Sequence, residues 1–430
     1  MECAYDTICG AQAHSLALLF GADATNSCCN SHKAEIPARR MAFEPEATNI
    51  WWSAGMSLPV KSEAICESPA LSSVPAGLRE ISEATLSIVI PNYNYARYVG
   101  TAIRSALEVR WPKVEVIVVD DGSTDDSWAI IQSFANEATI VRQPNAGQVA
   151  SCINGFRRSS GDFVIFLDSD DRLHPDVMTE IAAVWSPNAC KYQFQMRVID
   201  AAGNPTGGVL PQYYKCPKPE DIRAWVKGAA SYPTPPGSGN AYTRSFVEYV
   251  FGFKTGFVDR APDSYLLAAA PAFGDIITIP KPIVDYRVHG ENYAANLRLD
   301  ETRPGRELSL AQRRRAYFLE VARAVGIDAN PEALERNLIF TCLRASSYAL
   351  RPDLHPIQAD SAAKILRSAL KAGRCPQGFS PSQSWALVVW IVFVALGPRA
   401  LQRSLVTWRY APSQRPDWIR RLTRALRITR

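Results

Sequence analysis

Val114–Asp171 reads VEVIVVDDGSTDDSWAIIQSFANEATIVRQPNAGQVASCINGFRRSSGDFVIFLDSDD, and this stretch decides the fold. Two apolar runs, Val114–Val119 and Phe163–Leu167, each end in aspartates. Short continuous runs of Val, Ile, Phe and Leu suit strands of a parallel sheet covered on both faces. Between them lie a helical segment, a short strand at Thr139–Arg142 and a second helical segment. Strands alternating with helices imply right-handed crossovers and an open α/β sheet. Ligands of such sheets sit beyond the carboxyl ends of the strands. Asp120, Asp121, Asp168, Asp170 and Asp171 are therefore expected to converge at one edge. So many carboxylates repel one another unless a cation or a donor-rich ligand is present, and a metal with a nucleotide accounts for both.

Outward from this stretch, Leu86–Pro91 reads as the first strand, Asn92-Tyr93-Asn94 as its turn and Tyr95–Leu107 as a helix. Asp168-Ser169-Asp170 follows an apolar strand, and alternate residues of an extended segment project to one side. Asp168 and Asp170 then face one ligand, with hard oxygens suited to Mg²⁺ or Mn²⁺ bridging a diphosphate.

Ser87–Asn94 (SIVIPNYN), Val118–Asp125 (VVDDGSTD), Asn145–Gln148 (NAGQ) and Phe166–Asp171 (FLDSDD) together resemble the successive signatures of family 2 glycosyltransferases of the GT-A fold. The resemblance is firm over Leu86–Trp185, looser to about Asn292 and absent elsewhere. It implies a Rossmann-like, mainly parallel open sheet with helices on both faces, here followed by a C-terminal helical extension. It also implies metal-dependent, inverting transfer of a sugar from a nucleotide-diphosphate sugar to a hydroxyl acceptor. By the same resemblance Pro91 and Tyr93 lie beside the base, Asp121 holds the nucleoside, and Asp168 with Ser169 meets the ribose or sugar. Asp170 holds the metal, and Gln148, at a helix start, lies near the donor.

The second half is the variable, acceptor-binding part in this family. Pro233–Asn240 (PTPPGSGN) reads as a loop lining the cleft, with Ser238 and Asn240 either sugar contacts or turn residues. Relatives place a pair of acids at the start of the next helix. Here the pair is Pro262-Asp263, and the register makes Asp263 the candidate base, with Asp259 and Asp275 as substitutes. Ile283–Asn292 (IVDYRVHGEN) resembles the family's Tyr-Arg-x-His-Gly segment, making His289 a candidate for metal or diphosphate and Arg287 a candidate for phosphate.

The expected organisation is a disordered extension over 1–82, a catalytic domain over 83–295, a helical extension over 296–380, and an apolar helix with a basic tail over 381–430. Met41 and Met56 are alternative internal starts. A net charge of +5 is mild and gives no sign of nucleic acid. None of the ten cysteines stands in a CxxC, so reduced thiols in a cytoplasmic protein are expected. Trp385–Leu396 (WALVVWIVFVAL) is too short for a comfortable span. With the arginines behind it, it reads either as peripheral contact with the cytoplasmic face of an anionic membrane or as a buried helix with a solvated tail. Surface polysaccharide or glycoconjugate synthesis on a lipid-linked glycan is the expected setting. Two rival functions remain at this stage, a sugar transferase acting on polyprenyl phosphate and a non-catalytic nucleotide-sugar binding protein.

Overall fold

The computed structural model describes residues 80–289, 300–375, 377–411 and 414–419. Of the extension expected to be disordered over 1–82, residues 1–79 lie outside the described residues, as do the arginines from Arg420 onward and Gly290–Asn292, while Ile81–Glu83 forms a short 3-10 turn.

The chain alternates strands and helices through its first half. In order these are β1 (Leu86–Asn92), α1 (Ala96–Leu107), β2 (Val114–Asp120), α2 (Ser127–Gln132), β3 (Thr139–Arg142), α3 (Gln148–Arg157) and β4 (Phe163–Phe166). β5 (Arg172–Leu173), α4 (Val177–Ala182), β6 (Ala189–Ile199), β7 (Pro205–Leu210), α5 (Pro219–Ala229), β8 (Asn240–Thr243), α6 (Arg244–Gly252), α7 (Pro262–Ala269) and β9 (Asp275–Arg287) complete the sheet-bearing part. The sheet order is β3-β2-β1-β4-β8-β6-β9-β5, with β7 paired to β6. β3, β2, β1 and β4 pair in parallel, as continuous apolar runs require. The second half is mixed: β8 runs antiparallel to both β4 and β6, while β6 and β9 are parallel.

Both faces of the sheet are buried. Ile88, Ile90, Val116 and Val118 pack with Val99 and Ile103 of α1 on one side, while Val89, Val164 and Phe166 pack with Cys152 and Phe156 of α3 on the other. Alternation along each strand sends successive residues to opposite layers. Gly155 lets α3 sit close, because a Cβ there would lie 2.4 Å from Val89 Cγ1.

Among the described residues further helices follow, namely α8 (Arg303–Ala324), α9 (Leu338–Leu350), α10 (Ala362–Ala372), α11 (Pro381–Leu396) and α12 (Arg399–Tyr410). Tyr317, Phe318 and Val321 of α8 join the second sheet layer, and Leu308 begins a separate core that extends to Tyr410. Arg344 of α9 is buried there on Asp360, whose other oxygen lies 3.1 Å from His355 Nε2. Among the described residues no helix is long and apolar enough to cross a membrane.

Candidate active site

A cleft of about 440 Å³ opens at the carboxyl ends of β1, β2 and β4, where the alternation of strands and helices places a ligand. Pro91, Tyr93, Asp121, Gln148, Asp168, Ser169, Asp170 and Asp263, each expected from sequence, all line it.

The turn after β2 shapes one wall. Gly122 has φ +73°, and a Cβ there would stand 2.9 Å from the backbone nitrogen of Asn145, so a side chain would part the two loops. Asp121 accepts N–H bonds from Ala146 (2.9 Å) and Gly147 (2.8 Å) and one from Gln143 Nε2 (2.7 Å). The backbone donors ahead of α3 are thus partly spent on protein. Asn94 is a turn residue, as expected for it: its side chain accepts from Thr124 N–H at 2.7 Å.

The Asp168–Asp171 turn is braced from three sides. Ser169 Oγ donates to Pro91 O at 2.6 Å, Ser238 Oγ accepts from Asp168 N–H at 3.0 Å, and Gln148 Nε2 donates to Asp168 Oδ1 at 2.8 Å. Asp170 Oδ2 lies 3.0 Å from His289 Nε2, and the His289 ring packs against Tyr95 and Tyr98 at centroid distances of 5.7 and 4.8 Å. Tyr95, Tyr242 and Tyr286 line the cleft without having been singled out from sequence. The signal for Tyr286 was present, in the Tyr-Arg-x-His segment itself.

Several expectations are corrected. Asp120 and Asp171 do not join the cleft. Asp120 turns inward to Ser123 N–H and Arg142 Nε, and Asp171 accepts the N–H of Arg287 at 2.9 Å. Asp120 ends β2, where alternation sends neighbours to opposite sides, whereas Asp170-Asp171 lies in a turn closed by the N–H of Asp171 on Asp168 O at 3.0 Å, so the expected extended Asp168–Asp170 segment is a turn. Asn240 is not a sugar contact: it is fully buried, and its amide donates to the carbonyls of Pro235 and Pro236, closing its own loop. Ser238 is likewise a brace. Arg287 does not face phosphate. Its guanidinium is buried, donating to Asp170 O at 2.8 Å and Asp200 O at 3.2 Å beneath the Tyr98 ring. It positions the turn that carries Asp170. Asp259 and Asp275, the substitutes for Asp263, are engaged elsewhere, by Arg314 and Arg223.

Asp263 opens α7 directly after Pro262, which is favourable at a helix start, and the helix N-terminus stabilises its charge. Cys152, sealed beneath the cleft, shows how closely the acids gather. Its thiol is pushed well above the usual range by burial and by Asp168, Asp263 and Asp121. Asp171 is also pushed well above the carboxylate range, first by burial and then by Asp170 and Asp168. The cleft acids therefore gather close enough for their charge to be felt by the groups beneath them.

Among the described residues no three His, Cys, Asp or Glu side chains group to hold a metal by themselves. Asp170 and His289 offer two donors side by side. Mg²⁺ characteristically takes one or two carboxylates and completes its octahedron with phosphate oxygens and water, so the donor set fits a cation that arrives with a diphosphate.

Residues 87–227 match the family described as Glycosyl transferase family 2. An uncharacterized glycosyltransferase of Nostoc sp., alr2836, is 30% identical over 213 residues, covering 48% of this chain. EpsH of Bacillus subtilis, which bears the name of a glycosyltransferase, is 25% identical over 217 residues, covering 47% of this chain. The chain spans 66% and 61% of the lengths of these two relatives. A crystal structure of Staphylococcus aureus TarS residues 1–349 in complex with UDP-GlcNAc aligns with a TM-score of 0.46 and 14% identity, over 76% of this chain and 91% of that one.

Proposed function

Because residues 87–227 are a family 2 glycosyltransferase domain, we propose that the protein moves a sugar from a nucleotide-diphosphate sugar to a hydroxyl acceptor with inversion, aided by Mg²⁺ or Mn²⁺. The observation that carries this reading is one cleft lined by Asp121, Asp168 and Asp170 on strand ends and by Asp263 from a helix much later in the chain.

Each residue then has a separate task. Pro91 and Tyr93 flank the base, and Asp121 accepts from the nucleoside. Asp168, oriented by Gln148 and Ser238, accepts from ribose or sugar hydroxyls. Asp170 and His289 would hold the cation, which when bound neutralises charge on the departing diphosphate. Asp263 takes the acceptor proton as the acceptor oxygen bonds the anomeric carbon. The bond to the diphosphate breaks with its electron pair leaving on oxygen. Arg287 acts through the Asp170 backbone and touches neither ligand. A lipid-linked glycan is the acceptor class we favour, in surface polysaccharide or glycoconjugate synthesis.

The test is a panel of sugar nucleotides with release of nucleoside diphosphate as the readout. At least one donor should give release that depends on added Mg²⁺ or Mn²⁺ and rises with an acceptor glycan. Donor binding with no release under any acceptor would turn the reading into that of a nucleotide-sugar binding protein. Release driven by polyprenyl phosphate and indifferent to Asp263 would favour phosphate as the acceptor.

A further inference from the structure

We propose that the outer face of α11 is a docking surface for an anionic phospholipid bilayer. α11 contains no charged residue from Pro381 to Leu396. Its inner face, with Leu387, Val388, Ile391 and Val394, is buried against the rest of the helical extension. Its outer face carries Trp385, Val389, Phe393 and Leu396, which are 44%, 52%, 52% and 63% exposed. At about 100° per residue these four fall within an arc of roughly 80°, opposite the buried set. A stripe of four large apolar side chains on one exposed helix face needs an occupant. The helix does not span, so the stripe lies in the plane of an interface.

Charge selects the occupant. From Ser361 to Pro416 there is no Asp or Glu, against eight Lys and Arg. Arg367 and Lys371 of α10, Arg374 beyond it, and Arg399 and Arg403 of α12 are exposed, with α10 and α12 both packed on α11. Arg403 is partly offset by Glu301 at 2.8 Å. A second copy of the chain would bring the same positive charge against itself. An anionic lipid surface suits both the apolar stripe and the basic helices packed on α11. Trp418, 59% exposed beyond α12, adds an amphipathic ring suited to the same interface.

The experiment is sedimentation of the whole protein with vesicles, scored without turnover and so separable from the transfer reaction. One set of vesicles is equal parts phosphatidylglycerol and phosphatidylcholine, and the other is phosphatidylcholine alone. Wild type should pellet with the first at low salt and much less with the second. The double variant Val389→Ser/Phe393→Ser should bind about tenfold more weakly or worse with an unchanged melting temperature, since both side chains are already exposed. Arg367→Gln/Lys371→Gln/Arg374→Gln should bind more weakly and with a shallower salt dependence. The proposal fails if wild type stays in the supernatant, if both vesicle types bind equally, or if the double variant binds like wild type. It also fails if wild type is a dimer that Phe393→Ser dissociates.

Discussion

Asp263→Asn separates the proton-transfer role of Asp263 from a structural one, because the two predict effects of different size. Asn preserves the shape of a side chain that is only 6% exposed, so no cavity forms. What folding loses is the favourable charge in the first turn of α7, worth about 0.3–1 kcal/mol. Removing it also relieves repulsion from the other cleft acids, so the melting temperature should fall by no more than about 4 °C. A missing general base costs on the order of 10²–10⁴-fold in turnover, or about 3–5.5 kcal/mol of barrier. Donor affinity should stay within about threefold, because Asp121, Asp168 and Asp170, the acids proposed to meet the donor, are untouched. Turnover with a saturating acceptor, donor titration and thermal unfolding are measured on the same preparation. Donor affinity falling as far as turnover would make Asp263 a binding residue and refute the assignment. Retained turnover would do the same, since Asp259 and Asp275 are held in ion pairs outside the cleft.

Asp170→Asn should lose turnover by orders of magnitude and abolish the response to Mn²⁺ in turnover assays, while thermal unfolding shows the fold intact, because one of the charges repelling Asp171 has gone. Gly155→Ala should destabilise by about 1–3 kcal/mol in urea unfolding, since its Cβ would meet Val89 Cγ1 at 2.4 Å and Val119 Cγ2 at 3.2 Å; Val89→Ala in the same chain should restore part of the loss. Asp360 is held down at about 2 against opposing burial, by hydrogen bonds from His355 and Arg344. A depressed carboxylate stabilises fully above its unfolded value and loses that contribution as pH falls through the folded one, so roughly 2 kcal/mol should disappear between about pH 4 and 2 in wild type and be missing from Asp360→Asn at pH 7.

The strands and the alternation of the first half were legible because continuous apolar runs have few alternative uses. β2 and β3 begin where the residue pattern begins them, at Val114 and Thr139. Direction was harder to read. A run of aspartates announces an acidic edge, yet Asp120 and Asp171 face inward, and only the pleat at the end of β2 and the turn after β4 say which neighbour faces the ligand. Asn240 and Ser238 stood in a loop rich in turn residues, where a polar side chain serves its own backbone as readily as a ligand. In α11 the apolar residues run all round the helix, so its pattern gave no face. Packing against α9, α10 and α12 divides it into a buried side and an outer stripe.

The motif loops are tied to one another by the protein's own hydrogen bonds. Asn94 is bound to Thr124, Ser169 to Pro91, Asp168 to Ser238, and Asp170 to His289. Such cross-bracing lowers the ordering cost of binding. It also limits what each group has left to give. A carboxylate offers about four lone-pair sites. Asp121 spends two on Oδ1, with Gln143 and Ala146, and one on Oδ2, with Gly147. Among the described residues that leaves one lone pair, on Oδ2, for a nucleoside donor. In the proposed complex Asp121 therefore accepts a single N–H or O–H, in a direction set by the Asn145–Gly147 loop. Selectivity among bases would then follow from where that loop holds Oδ2, as much as from the carboxylate itself.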